Sequence, residues 1–243
     1  AARYTTTSTV LVAPDGSCVV VDPALTADDV ADLARTVRAH GWTPHAGFAT
    51  HPHWDHVLWA AALGDVPRWA TPRCAATALR ERGPLVRMAA DDGAPGHDPA
   101  LVARLTPLEG LTLPWSRDVV VVPYAAHAPG SAALVVPDAG VLVAGDVLSD
   151  LEVPLLDLDA AHPIGEHHRA LDALETAAAA HGVVVLVPGH GHVTDAAGLR
   201  QRLAADRAYL DALAAGRTPE DPRLAEPWVR DEHERQLAAL AGR

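Results

Sequence analysis

Three histidines and an aspartate stand within six residues, His51-Pro52-His53-Trp54-Asp55-His56, and no other stretch restricts the fold of this chain as strongly. Imidazole and carboxylate at this density suit a divalent cation such as zinc, and histidines two apart on an extended segment or tight loop can converge on one ion. Asp55 and His56 follow at once, so the same loop can place a second ion beside the first. With 14 histidines in 243 residues, a His-x-His-x-Asp-His string arises by chance somewhere in such a chain with a probability on the order of 0.5%. A short apolar strand, Ala46 to Thr50, runs straight into the cluster and puts it at a strand end. One loop supplies too few ligands, so a metal site requires further His or Asp from other strand ends.

The chain offers them. Before the cluster, Thr9 to Ala13 and Cys18 to Asp22 read as a hairpin around Pro14-Asp15-Gly16. Thr26 with Asp28 and Asp29 then caps a helix whose apolar face (Val30, Leu33, Ala34, Val37) runs to Gly41. From Trp59 to Trp115 the pattern is weaker, with helical stretches at Ala75 to Arg82 and Pro99 to Leu105 around a loop, Asp91 to Gly96, placed to border a pocket. Strands return at Val119 to Pro123, Ala132 to Pro137 and Val141 to Gly145, the last two joined at Asp138-Ala139-Gly140. A loop from Leu151 to Pro163, a helix from Glu166 to Ala180 and a strand from Val183 to Val187 follow. His127, Asp146 and His190 come just after three of these strands. Strands followed by a helix in both halves predict two packed sheets with helices outside. The helix Gly198 to Ala215 and a charged, proline-containing tail close the chain.

These stretches resemble the metallo-β-lactamase superfamily, most of all its glyoxalase II-like and lactonase-like hydrolases. The resemblance runs from about Thr9 to Thr194 and is carried by Val20-Val21-Asp22-Pro23, His51 to His56, His127-Ala128-Pro129-Gly130-Ser131, Gly145-Asp146 and Pro188-Gly189-His190-Gly191. It implies an α+β fold, a four-layer αβ/βα sandwich, formed by one domain over residues 1–243 with 198–243 as a helical extension. It implies two Zn²⁺ ions per chain, with iron or manganese as alternatives. His51, His53 and His127 would hold the first ion, Asp55, His56 and His190 the second, and Asp146 would bridge them. Asp22, and Thr50 beside the ligands, would orient them by hydrogen bonding. Ser131 stands where the family often has a second histidine that is not a ligand. His192 competes with His190, and family position favours His190.

Two ions sharing a water lower its pKa towards neutrality, so the implied reaction is attack by hydroxide on a small ester, thioester, lactone or amide, with Asp55 orienting the nucleophile. β-Lactamases of this fold usually carry Cys or Ser at the position of Asp146, which disfavours β-lactams. Rival readings are a sulfur dioxygenase-like iron oxidoreductase, a small-phosphodiester hydrolase, and a metal-bearing protein without turnover. Trp54 and Trp59 are candidates for a substrate pocket, whose walls are expected from the Asp65 to Trp115 and Leu148 to Pro163 segments. His40, His45, His97, His162, His167, His168, His181 and His233 read as surface or helix-end residues.

Composition narrows the remaining classes. The 19 basic residues are all arginine, so no lysine Schiff base or lysine base is available. The net charge of −12 opposes nucleic acid. Cys18 and Cys74 form no Cys-x-x-Cys pair and read as core thiols. No apolar run reaches membrane length, and the start Ala1-Ala2-Arg3-Tyr4 lacks a signal-peptide core. The expectation is a cytoplasmic protein, with export left open, acting on a small molecule, with a homodimer contact at the terminal helix as an option.

Overall fold

The structure, a computed structural model, describes residues 5–91 and 95–242. The start Ala1 to Tyr4 and residues 92–94 of the acidic loop lie outside the described residues. Two five-stranded sheets form the centre. The first holds β1 (Thr9–Val12), β2 (Ser17–Val21), β3 (Thr43–Phe48), β4 (Arg68–Ala70) and β5 (Thr106–Pro107) in sequential order. The second runs in the order β10-β9-β8-β7-β6, from β6 (Val120–Pro123) through β7 (Ala132–Val136), β8 (Val141–Gly145) and β9 (Val185–Pro188) to β10 (Thr194–Asp195).

Strand alternation shows why the layers stack. Every residue of β7 is buried, which a strand covered on one face could not be. Ala132, Leu134 and Val136 enter the core between the sheets, where they meet Val19, Val21 and Phe48. Ala133 and Val135 point the other way, into a core built with Leu171 and Leu174 of α4 (Pro163–Ala180) and Leu203 and Leu210 of α5 (Ala196–Ala214). In β2 the same period of two sends Val19 and Val21 between the sheets and Cys18 and Val20 against Val30, Ala34 and Val37 of α1 (Ala27–Ala39). Helix, sheet, sheet and helix are thus four layers, the αβ/βα sandwich that the resemblance implies. The capping box of α1 is present: Asp29 N donates to Thr26 Oγ1 at 3.0 Å and Thr26 N to the Asp29 carboxylate at 3.1 Å.

Parts of the chain differ from the sequence reading. Residues 99–103 are turns rather than a helix, because arginine side chains take carbonyls that a helix would use: Arg82 donates to Pro99 O and Val102 O, and Arg68 to Leu101 O. Two helices, α2 (Pro72–Arg80) and α3 (Arg82–Asp91), occupy the preceding stretch. The C-terminal tail, given as part of a helical extension, forms α6 (Pro227–Ala241), which Pro227 opens at a position where its missing N–H costs nothing, and Val229 packs into the α4/α5 core. Two histidines read as surface residues are buried. His233 bonds Tyr209 Oη at 3.0 Å, and His167, fully buried in α4, has no hydrogen-bond partner among the described residues. No helix among the described residues is long and apolar enough to cross a membrane.

Candidate metal centre

Parallel pairing brings the site together. β8 and β9 run parallel with Gly145 opposite Pro188, so the residues that follow them, Asp146 and His190, emerge side by side. β2 and β3 are also parallel, with Val21 opposite Phe48, so Asp22 lies beside the entry to the histidine loop. Ala132 N donates to Thr50 O at 2.9 Å and ties the two sheets at this edge. Side chains at the carboxyl ends of parallel strands converge where helices leave room, the usual place for a ligand site in such folds.

Two groups result. His51, His53, His127 and Asp146 form one and Asp55, His56 and His190 the other, each with donor atoms within 4.8 Å of one another. Within the first, His53 Nδ1 lies 3.1 Å from His51 Nε2 and 3.0 Å from His127 Nε2. In the second, His56 Nε2 and His190 Nε2 are 3.5 Å apart, and Asp55 Oδ2 is 3.2 Å from His190 Nε2. Asp146 lies between the groups, with Oδ2 3.3 Å from both His51 Nε2 and His190 Nε2 and Oδ1 3.1 Å from His56 Nε2.

The outward nitrogens explain why the inward ones are free to bind. Asp22 accepts from Thr50 N at 2.8 Å, from Thr50 Oγ1 at 2.6 Å and from His56 Nδ1 at 2.9 Å. A carboxylate only accepts, so His56 keeps a proton on Nδ1 and Nε2 is the nitrogen that would give up its proton to a metal ion. The Thr50 hydroxyl spends its proton on Asp22, so at 3.0 Å it accepts from His51 Nδ1, which again frees Nε2. His127 Nδ1 donates to Leu155 O at 3.2 Å. His190 Nδ1 is 3.4 Å from Thr6 Oγ1. His127 itself has φ +64°, a left-handed backbone rare for histidine, in a tight turn closed by Ala128 N to Ala126 O at 2.6 Å.

Charge without a cation is badly balanced here. Burial, then His127, pushes His53 down to about 3. Burial also disfavours charge on His190, but Asp146 and Asp55 outweigh it and hold His190 up to about 11. Burial, with His56 next, lowers His51 well below its ordinary value. His190 thus holds a proton, as does His56, which burial disfavours but Asp146 and Asp55 raise well above its ordinary value, while His51 and His53 are kept neutral, and a divalent ion balances the carboxylates better. Asp146 Oδ1 is buried and accepts no hydrogen bond among the described residues. A Cβ at Gly189 would collide with that oxygen and with His56, so the backbone is shaped around the cluster. The residues present therefore fit a pair of divalent ions.

The cluster forms the floor of a cavity of about 190 Å³ lined also by Trp54, Glu152, Leu155 and Trp228. Trp54 thus reaches the pocket and Trp59 does not: Trp59 donates to Gly64 O at 3.0 Å and packs with the α1 face of the first sheet. Among the described residues none of the Asp65 to Trp115 segment lines this cavity, since the segment supplies β4, β5 and the helices packed beside them, whereas Glu152 and Leu155 come from the Leu148 to Pro163 loop. Sequence reasoning missed Glu152 and Trp228. Glu152 is a single acid in a loop, and Trp228 sits in the tail where no pattern points to a pocket. Burial, the largest influence, raises Glu152 to about 7 against the pull of His190. His192 is turned away and pairs with Asp150 at 2.9 Å.

This fold and a paired ligand set at its sheet edge define a class, and sequence comparison gives the same one. The chain belongs to the metallo-β-lactamase superfamily, whose family model matches residues 3–208. Hydroxyacylglutathione hydrolase of Salmonella typhi is 44% identical over 48 residues, a match that takes in 20% of this chain and only 18% of that enzyme. The structure is similar to that of BLEG-1, a B3 metallo-β-lactamase, with a TM-score of 0.61 and 21% identity over 83% of this chain and 93% of that one. It is similar also to TTHA1623, solved in a di-iron-bound form, with a TM-score of 0.58 and 25% identity over 84% and 96% of the two chains.

Proposed function

We propose that this chain is a dinuclear metal-dependent hydrolase of small thioesters or esters. The observation that carries the reading is the set of outward Nδ1 hydrogen bonds of His51, His56 and His127, which turns three Nε2 atoms inward, with His53, His190, Asp55 and Asp146, onto two adjoining points under an open cavity. His51, His53 and His127 would hold one ion and Asp55, His56 and His190 the other, with Asp146 placed beside both groups. When bound, two such ions supply hydroxide at neutral pH and polarise a scissile carbonyl. Asp55 would orient the attacking oxygen, and the proton that this oxygen carries would pass through Asp55 or solvent to the departing alkoxide or thiolate. Trp54, Leu155 and Trp228 line the cavity above the floor and shield a bound substrate from water. The thioester preference is supported by the short match to hydroxyacylglutathione hydrolase.

Elemental analysis of the purified protein, beside His53→Ala, tests this together with thioester and ester hydrolysis before and after chelation. About two zinc ions per chain, lost with activity in the variant and on chelation, is the expected result. The di-iron form of TTHA1623 favours a second reading, an iron oxidoreductase. Iron in the native protein with O₂ consumption and no hydrolysis would establish that reading instead.

A further inference from the structure

One carboxylate in the cavity belongs to neither ligand group. The Glu152 side chain is 9% exposed and lines the cavity, yet none of the described residues donates a hydrogen bond to it. Its nearest charged neighbour, His190 Nδ1, is 3.8 Å away, beyond hydrogen-bond reach. Glu152 therefore has a charged neighbour but no hydrogen-bond donor among the described residues, and a mostly buried carboxylate gains from a ligand that supplies one or that brings a cation closer.

Its backbone, by contrast, is held firmly. Glu152 N donates to Ser149 Oγ at 3.2 Å, and Glu152 O accepts from Arg223 Nη1 at 2.9 Å. Arg223 also bonds Ser149 O at 3.1 Å and Asp206 Oδ1 at 2.6 Å. Farther along the same loop, Gln236 of α6 accepts from Leu156 N at 2.7 Å and donates to Pro154 O at 3.2 Å. The C-terminal segment that clamps the loop also contributes Trp228 to the cavity wall, and all of it lies beyond the 3–208 family match. An acid whose backbone is held this rigidly, in a cavity that two indoles also line and that no arginine lines, is arranged to receive positive charge. Indole faces attract cations, and a net charge of −12 draws them from solution.

We propose that Glu152, with Trp54 and Trp228, is the specificity-determining wall of the site and selects substrates that carry an ammonium group near the scissile bond. This rests on the hydrolase reading for its kinetic assay only. Thioesters of one acyl group with thiocholine, ethanethiol and mercaptoacetate present a cationic, a neutral and an anionic leaving group on the same reacting bond. The expected order of kcat/KM is cation above neutral above anion. In Glu152→Gln the cation-to-neutral ratio falls by about tenfold or more, the range for losing a charged partner. Metal content is measured on each protein, because a carboxylate that merely steadies His190 would lower all three rates in proportion and leave the ratio intact. An unchanged ratio, or a wild-type preference for mercaptoacetate, overturns the proposal. If the metal-loaded wild type cleaves none of the three, the hydrolase reading fails by itself. Tryptophan fluorescence on titration with tetramethylammonium against acetate then decides: tighter cation binding that Glu152→Gln abolishes supports the proposal, and equal binding refutes it.

Discussion

Replacing Asp22 by asparagine changes one oxygen to an NH₂ group and should invert two histidines without altering the shape of the core. The new amide can still accept from Thr50 N through its remaining oxygen. Its NH₂ then faces Thr50 Oγ1 and His56 Nδ1, where the carboxylate oxygen lies at 2.6 and 2.9 Å. Donation to Thr50 Oγ1 turns the hydroxyl proton towards His51 Nδ1, and donation to His56 Nδ1 makes that atom an acceptor. Both rings then carry N–H on Nε2, the nitrogen that faces the metal groups. Restoring the binding tautomers sets donor against donor at two buried contacts, at about 1–2 kcal/mol each once relaxation is allowed. The sum of about 2–4 kcal/mol corresponds to roughly 30- to 1,000-fold weaker metal binding. Competition of the apo variant against a chromophoric chelator, with zinc or cobalt, measures this at both groups. Side-chain ¹⁵N resonances of the histidines report the tautomers directly. Affinity within about threefold of wild type at both groups, with the variant folded, would refute the account of why these imidazoles are poised for metal.

Trp228→Ala should raise KM with little loss of Tm, because Trp228 is 40% exposed; Trp59→Ala should destabilise by about 3–5 kcal/mol and leave KM alone, as melts and kinetics at a temperature where both are folded will show. Gly189→Ala drives a Cβ into Asp146 and His56, so metal content should fall at both groups, and a fully loaded Gly189→Ala would show that the loop yields more easily than its packing implies. His167 is pushed down to about 3, first by burial and next by His127, so the unfolded chain takes up a proton below about 6.5 that the folded chain refuses until about 3. This share of stability is therefore complete above the unfolded value and is lost as pH falls, by about 2 kcal/mol between pH 6.5 and 5, and denaturant melts at the two pH values should show wild type losing about 2 kcal/mol more than His167→Leu, the share of His51 and His53 being common to both.

Much of the candidate site was legible in the sequence because its candidate ligands follow strands, and strands announce themselves by apolar runs bounded by turns. The histidine loop, His127, Asp146 and His190 each come a few residues after such a run, and the structure brings these seven residues into the two groups. The hairpins, α1 and the αβ/βα layering follow from the same periodicities. Where tertiary contacts override local pattern, the sequence misleads: the 99–103 turns exist because Arg68 and Arg82 reach across to claim their carbonyls, and His233 is buried because Tyr209 lies beside it.

Local sequence by itself determined which residues can ligate a metal and at which strand ends they emerge, since both depend on chemistry and pattern within a few positions. Only the tertiary structure decided which proton each imidazole keeps, because Asp22, Thr50 and Leu155 meet their histidines through strand pairing and loop packing, Asp22 with His56 across 34 residues. It alone decided that Trp54 and not Trp59 faces the cavity, and that Glu152 and Trp228 stand together there. Those two residues lie far apart in the chain, and the clamp that joins their segments, Arg223 and Gln236 on the loop carbonyls and amides, is a set of long-range hydrogen bonds that no local periodicity encodes.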